Sequence, residues 1–232
     1  MNTIQEFKNI HVGEDIWIIA AGPSVNYVDP TFFNNKITIG INRVCMKFDC
    51  NYLVAKDGRG FSLIKDFINS RTKILLSKYE SGNPHQNLNT YSDEHWIFDH
   101  PPKPGEKPDL SCINSDSDKI VVSYSTITSG IHLAAYMGAA NIMICGHDCG
   151  TIDGESTITD YYKNIRQHQG SENKYIQWLS KIENHTAAVC HTITKNYGCN
   201  IHSLNPFINL NLEGHKYVPS NSGKVLQRKL KK

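Results

Sequence analysis

The feature that most constrains the fold is an apolar run near the start of the chain, Ile16–Ala21, which ends abruptly at Gly22-Pro23-Ser24. A run without polar alternation is typical of a strand that is buried on both faces, as in a parallel sheet. Similar short runs recur along the chain, at Ile37–Ile41, Tyr52–Ala55 and Asn141–Cys145. Helical patterns separate these runs, and this alternation predicts an α/β protein with a mainly parallel sheet.

Length and composition are typical of one folded domain. The chain has 232 residues, of which 39% are hydrophobic and 20% are charged, and this argues against long disorder. The formal net charge of +2 is too small for a general nucleic-acid binder. The chain has 7 cysteines and no CxxC pair, which favours reduced thiols. We see neither a signal peptide nor an apolar stretch near the roughly 20 residues that span a bilayer, so we expect a cytoplasmic protein.

The second half of the chain contains one long amphipathic helix. Apolar residues recur at three and four positions from Tyr175 to Tyr197, and Gly198 is placed to end the helix. A last strand is predicted at Asn200–Ser203. The polar segment Thr151–Asn173 precedes the helix and directly follows Asp148, and we interpret it as a lid on a single domain that spans residues 1–232.

Two further regions have a biased composition. Residues 81–117 are rich in Asn, Asp, Ser and Pro, which predicts a long loop, broken by a short strand at Trp96–Phe98. The tail 224–232 is basic. A basic tail is compatible with weak contact to an anionic membrane surface, although a solvated tail is the more common outcome.

Small and polar residues follow the predicted strands, where an open parallel sheet binds its ligands. Gly22-Pro23-Ser24 suits a turn into a helix whose free N–H groups and positive dipole end face an anion. Thr128-Ser129-Gly130 opens the next clear helix and offers two hydroxyls and an open backbone. The alternative for both motifs is an ordinary capped turn, because Ser and Thr are preferred N-cap residues.

Three polar residues lie just past the ends of other predicted strands. Asn42 is a candidate for reading a base or ribose edge. Asp57 and Asp148 are candidates for holding a ribose hydroxyl, a Mg²⁺ ion or a reacting proton. The alternative for each is a turn residue.

Histidine, tyrosine and cysteine side chains offer further candidates. His185 lies within the long helix and is either a general base or a packed helix residue. Tyr162 lies in the predicted lid, where surface packing is the alternative role. Cys145, His147 and Cys149 alternate along a strand and its end, so we do not predict a metal site there.

The ordered series of motifs resembles two related groups of proteins. It is similar to the bacterial family-42 sialyltransferases and to a group that includes the archaeal 6-hydroxymethylpterin pyrophosphokinase and the motility-associated factors of flagellin glycosylation. The resemblance covers roughly residues 14 to 205 and consists of Ile18–Ser24, Asn42, Ile127–Gly130 and Ile144–Asp148. The runs Val54–Asp57 and Gly146–Gly150 are closer to the second group.

The resemblance implies a Rossmann-like fold with helices on both faces of the sheet and a lid inserted after Asp148. It implies that a CMP-sugar contacts the following residues: Gly22, Pro23, Ser24, Asn42, Thr128, Ser129, Gly130, Gly146 and Asp148. Two departures from the sialyltransferases put sialyl transfer in doubt. Cys149-Gly150 stands where those enzymes carry a Tyr soon after the G-x-D, and His185 lies well inside its helix rather than at the start.

Three hypotheses of function follow. The first is a glycosyltransferase-like enzyme that uses a CMP-activated sugar, with His185 as the base and with backbone N–H groups and lid tyrosines stabilising the leaving phosphate. The second is a pyrophosphokinase of the pterin type that uses ATP and Mg²⁺ held by Asp57 and Asp148. The third is a nucleotide-binding accessory protein without catalysis.

Overall fold

A computed structural model describes residues 2–56, 64–80, 83–84, 95–101, 108–160, 171–204, 215 and 217–219. Its main feature is a sheet of eight strands in the order β1-β8-β5-β4-β3-β2-β9-β11, with every pair parallel. The strands of this sheet are β1 Asn2–Thr3, β2 Asp15–Ile19, β3 Ile37–Ile41, β4 Tyr52–Ala55, β5 Lys73–Ser77, β8 His95–Phe98, β9 Asn141–Cys145 and β11 Asn200–Ser203. The predicted α/β fold with a mainly parallel sheet is therefore confirmed.

Two short antiparallel pairs lie outside the main sheet. One joins β6 (Tyr79–Glu80) to β7 (Asn83–Pro84). The other joins β10 (Gly150–Ile152) to β12 (Tyr217–Pro219), so a segment near the C-terminus returns to the chain just after Asp148. The basic tail 224–232 lies outside the described residues.

The strand register brings several predicted site motifs to one edge of the sheet. Ile19 at the end of β2 is paired with Cys145 at the end of β9 and with Gly40 in β3. Because these neighbouring strands end together, the residues that follow them meet at the carboxyl edge. The apolar pattern of the strands thus sets the position of the candidate site.

One face of the sheet is covered by two α-helices, α1 (Ile127–Tyr136) and α2 (Ser171–Tyr197). Every residue of α1 is buried, and the helix packs on β2, β3, β9 and α2. A Cβ atom at Gly130 would lie 2.6 Å from Cδ1 of Ile41, so a larger residue there would require Ile41 to shift where α1 approaches β3. The two α-helices and the central strands form the larger of the apolar cores.

The other face is covered by short 3₁₀ helices, which include Pro23–Tyr27, Pro30–Phe33 and Asn42–Met46. Their apolar side chains pack with Ile19 and Cys145 in a second core. The sequence predicted a helix after Gly22, and the structure has one of only five residues. Pro30 begins a further turn soon afterwards, so the strong helix dipole expected to favour an anion at Gly22 does not form.

Other expectations are confirmed with small shifts in their bounds. The short strand expected at Trp96–Phe98 is β8, and the long amphipathic helix is α2, which begins at Ser171. Between β4 and β5, the described residues include a short 3₁₀ helix at Lys65–Phe67. No helix of the described chain has the length and apolar character that crossing a bilayer requires.

A buried histidine ties α1 to the segment before it. The backbone N–H of Val121 donates to Nδ1 of His132 at 3.0 Å, so Nδ1 carries no proton. The proton of the neutral ring is then on Nε2, which lies 3.0 Å from the hydroxyl of Tyr197 in α2. The Tyr197 hydroxyl donates in turn to the carbonyl of Asn114 at 2.9 Å. This chain of bonds needs a neutral imidazole, and burial lowers the pKa of His132 to about 3.

The first prediction is that His132 makes the fold sensitive to acid. Its pKa is lowered from an ordinary 6.5, so its contribution to stability is complete above pH 6.5 and is lost progressively as the pH falls towards 3. By pH 5 the free energy of unfolding should fall by about 2 kcal/mol from this group alone. Urea unfolding of the wild type and of His132→Phe at pH 7.5 and pH 5 measures the difference between them.

Tyr197→Phe is the control for this prediction. It keeps His132 but removes the acceptor of the Nε2–H bond, so it should lower stability at both pH values and retain the acid loss. A wild type that loses no more stability than His132→Phe between the two pH values would contradict the account.

Candidate functional site

The ends of β2 and β9 are held together by their backbones. The N–H of Ala20 donates to the carbonyl of Cys145 at 2.8 Å, and the N–H of Gly22 donates to the carbonyl of Gly146 at 2.7 Å. A Cβ atom at Gly22 would collide with the carbonyl oxygen of Gly146 and would lie 2.6 Å from Oδ2 of Asp148. Gly22 is therefore required for contact between the two strand ends, a reason that the sequence did not reveal. Its predicted contact with a nucleotide stays a prediction.

Ser24 and Asp148 join the two motifs directly. The backbone N–H of Ser24 donates to Oδ2 of Asp148 at 2.7 Å, and the Ser24 hydroxyl donates to Oδ1 at 2.6 Å. Both residues are buried. Pro23 stands between Gly22 and Ser24 as the first residue of the 3₁₀ helix, where its fixed φ is suitable. Two predicted site motifs, 124 positions apart, are thus one structural unit.

Burial and hydrogen bonding act in opposite directions on Asp148. Burial disfavours the charged carboxylate and raises the pKa of Asp148 from 3.8 to about 6. The two bonds from Ser24 favour the charged form and limit this rise. The carboxyl group therefore keeps its proton to a higher pH than an ordinary aspartate.

His147 and Cys149 flank Asp148 in the same loop. Nε2 of His147 lies 3.4 Å from Sγ of Cys149, whose backbone has a left-handed φ of 46°. Burial lowers the pKa of His147 to about 4 and raises the pKa of Cys149 well above its usual value. The pair is therefore a neutral imidazole and a thiol, not the ion pair of a cysteine nucleophile. The described residues contain no group of three or more His, Cys, Asp or Glu side chains that could hold a metal ion.

Asn42 lies at the same edge, directly after β3. Its φ of 52° is left-handed, a conformation that Asn tolerates better than most residues. Its Nδ2 donates to Oγ1 of Thr126 at 3.2 Å, and Thr126 directly precedes α1. Asn42 therefore links the end of β3 to the start of α1, at the place predicted from the sequence.

The hydroxyls of Thr128 and Ser129 point into the protein. Ser129 donates to the carbonyl of Val121 at 2.8 Å, and Thr128 donates to the carbonyl of Ser125 at 2.8 Å. Both side chains are fully buried. These contacts favour a structural role for the two hydroxyls, and their predicted contact with a nucleotide stays a prediction.

Helix α2 brings His185 to this part of the molecule. His185 is buried in the interior of α2, and its ring meets the ring of Tyr124 edge to face, with centroids 4.9 Å apart. Tyr124 lies two residues before Thr126, the partner of Asn42. Although His185 does not begin its helix, it faces the segment that leads into α1.

Glu183 is a buried residue near the candidate site that sequence reasoning missed. It is buried on α2, and its carboxylate lies close enough to Cys149 to raise further the pKa of that thiol. The available signal was an acidic residue beside the apolar stripe that includes Ile182 and Thr186. Asp57 and Tyr162, two predicted catalytic residues, lie outside the described residues.

The described part of the predicted lid packs against the Gly22 motif. The N–H of Ile158 donates to the carbonyl of Ala21 at 2.9 Å, and the N–H of Thr159 donates to Oδ1 of Asn26 at 3.0 Å. His215, next to β12, bonds to Asp153 at 2.5 Å. Residues 161–170 are outside the described chain, and 171–173 are the first turn of α2. Movement of the lid stays a prediction.

The second prediction concerns the charge of Asp148. Because its folded pKa is raised, its contribution to stability is complete below pH 3.8 and is lost as the pH rises through 6. Between pH 4 and pH 7 the wild type should lose about 2 kcal/mol relative to Asp148→Asn. Carbon NMR of the carboxyl group gives the pKa directly, and Ser24→Ala should raise it further. A value near 3.8 would contradict the account.

The third prediction is that Ser129→Ala lowers stability by about 1–3 kcal/mol, because the buried carbonyl of Val121 loses its donor. The melting temperature should fall by several degrees. Ser115→Ala, at an exposed serine, is the matched control and should leave it unchanged. If Ser129→Ala melts like the wild type but binds CMP about tenfold more weakly, the hydroxyl belongs to a ligand site instead.

Comparisons with solved structures show that the fold is similar to that of a sialyltransferase. A structure of the sialyltransferase CST-II with a trisaccharide acceptor and CMP is 14% identical, with a TM-score of 0.52 over 84% of this chain and 82% of that chain. The sialyltransferase CstII from Campylobacter jejuni, in complex with the substrate analogue CMP-3FNeuAc, is 13% identical, with a TM-score of 0.50 over 84% and 82%.

A more distant similarity involves the MAf glycosyltransferase from Magnetospirillum magneticum AMB-1. It is 12% identical, with a TM-score of 0.49 over 88% of this chain and 37% of that chain. No protein-family model matches the sequence, and no curated protein matches it. The chain therefore has the fold of the CstII sialyltransferases. At 13% and 14% sequence identity, the similarity concerns the fold and not the activity or the substrate.

Proposed function

We propose that this protein is a nucleotide-binding transferase, specifically a glycosyltransferase-like enzyme that uses a CMP-activated sugar. The observation that carries the proposal is the joining of Ser24 and Asp148 across the ends of β2 and β9, at the ligand-binding edge of a parallel sheet. Structures with this fold have been determined with CMP and with a CMP-sugar analogue.

The nucleotide would lie against the backbone at this edge. Gly22 and Gly146 let the two strand ends meet closely, and this contact sets the shape of the edge that would receive the nucleotide. Asn42 offers an amide side chain from the neighbouring strand, where it already bonds to Thr126. The helix after Gly22 is a 3₁₀ helix of only five residues, and the N–H groups of Gly22 and Ser24 already bond to Gly146 and Asp148, so we assign phosphate binding to neither the helix dipole nor these two N–H groups.

The proposed reaction uses His185 as the general base. The acceptor hydroxyl attacks the sugar carbon that bears the phosphate, a new C–O bond forms, and the bond from that carbon to the phosphate oxygen breaks. CMP leaves with the bonding electrons, and the hydroxyl proton passes to His185. The imidazole is positioned for this role by its edge-to-face contact with Tyr124. Tyr162 of the lid is the proposed partner of the leaving phosphate.

The two alternatives lack a comparable observation. The pyrophosphokinase hypothesis needs Mg²⁺ on Asp57 and Asp148, and the carboxylate of Asp148 already accepts two bonds from Ser24. A non-catalytic accessory protein would bind the nucleotide in the same place without needing a base. His185 and the buried Glu183 favour the enzyme over this hypothesis.

The fourth prediction is that CMP binds without metal and that His185→Ala abolishes transfer while leaving CMP affinity within about twofold. Calorimetric titration of CMP and of ATP, each with and without Mg²⁺, measures binding. Transfer is followed by CMP release from a CMP-sugar. His191→Ala, at an exposed histidine on the same helix, is the matched control and should keep full activity.

The other outcomes decide between the hypotheses. Binding of ATP only with Mg²⁺ would replace the proposal with the pyrophosphokinase. Binding of CMP without any turnover would favour the accessory protein.

A further inference from the structure

Tyr124 is unusual among the residues around α1 because its side chain is exposed. Val121 and Val122 before it and the whole of α1 after it are buried, whereas Tyr124 is 39% exposed. The ring is nevertheless held in place. The buried His185 meets it edge to face, and the Lys181 ammonium lies 4.2 Å from its centroid. An aromatic ring that is both fixed and exposed is suited to contact with a ligand.

A second exposed aromatic residue, Trp178, lies on the face of α2 that carries Lys181 and His185. Trp178 is 49% exposed and stands three positions before Lys181 and seven before His185. Side chains with this spacing lie along one stripe of a helix. Trp178 is thus about 10 Å along the helix axis from His185. Along this stripe of α2, the exposed Trp178 comes first, the Lys181 cation second and the proposed base His185 last.

We propose that Tyr124 and Trp178 form a platform that binds the acceptor sugar and presents its hydroxyl to His185. The inference rests on the proposed transferase function and adds the acceptor side of the same site. We call these two residues the acceptor platform.

The chemistry of a sugar fits this surface. A sugar ring has a face of C–H groups that packs on an aromatic ring, and a rim of hydroxyls that need polar partners. Lys181 lies over the Tyr124 ring and His185 meets it edge to face, so the C–H face of a sugar would pack on the part of the ring that these two side chains leave exposed. A sugar on this ring would bring a hydroxyl towards the buried His185, whose ring meets Tyr124 edge to face. The donor side lies nearby, since Thr126, two residues after Tyr124, bonds to Asn42.

The experiment measures sugar binding separately from nucleotide binding. Saturation-transfer NMR with lactose and with N-acetyllactosamine gives the sugar affinity of the full chain, with and without CMP. Tyr124→Ala and Trp178→Ala should each weaken sugar binding about tenfold, the order expected for the loss of one aromatic contact. CMP affinity should stay within about twofold of the wild type, and the conservative Tyr124→Phe should bind the sugars normally.

Phe32→Ala is the matched control. Phe32 is 41% exposed and also has a lysine, Lys36, over its ring at 4.7 Å. It lies shortly before β3, whereas the candidate site follows the strand ends, so its loss should not change sugar binding.

The possible outcomes separate the two proposals. A wild type that binds the sugars but not CMP refutes the proposed function and leaves the acceptor platform to be judged by its own variants. Wild-type sugar affinity in both alanine variants overturns the platform, as does the absence of sugar binding by the wild type.

Discussion

The bonds between Ser24 and Asp148 are the interaction on which the candidate site depends. They connect the loop after β2 to the loop after β9, and they form only because Gly22 and Gly146 bring those loops into backbone contact. A buried carboxylate is costly, and the two donors from Ser24 offset part of that cost. Asp148 therefore fixes the shape of the site and also holds a charge that changes near neutral pH.

The other parts of the site are arranged around this pair by the sheet and the two α-helices. The common ending of β2, β3 and β9 places Asn42 at the same edge as Ser24. Helix α1 is locked in position by Ser129 and His132, which bond to the two backbone groups of Val121. The buried hydroxyl and imidazole of α1 thus contribute to the site by holding the segment before α1, which includes Tyr124.

The strands and the edge where the site lies could be predicted from the sequence, because buried parallel strands leave continuous apolar runs that end at polar motifs. The length of the helix after Gly22 could not, since Pro30 and the return to β3 limit it through tertiary structure. The sequence also could not show that the Ser129 hydroxyl points inward. Serine is found equally in helix caps, in ligand contacts and in hydrogen bonds within the protein. Glu183 and Tyr124 were missed because their proximity to Cys149 and His185 arises only from folding.

The most direct test of the account is an amide NMR map of CMP binding to the full chain without metal. The account predicts that the largest chemical-shift changes fall on the amides of Gly22, Ser24, Asn42 and Gly146, which meet at one edge of the sheet although they come from distant parts of the chain. Changes centred elsewhere, or no changes at saturating CMP, would contradict the claim that this edge is a nucleotide site.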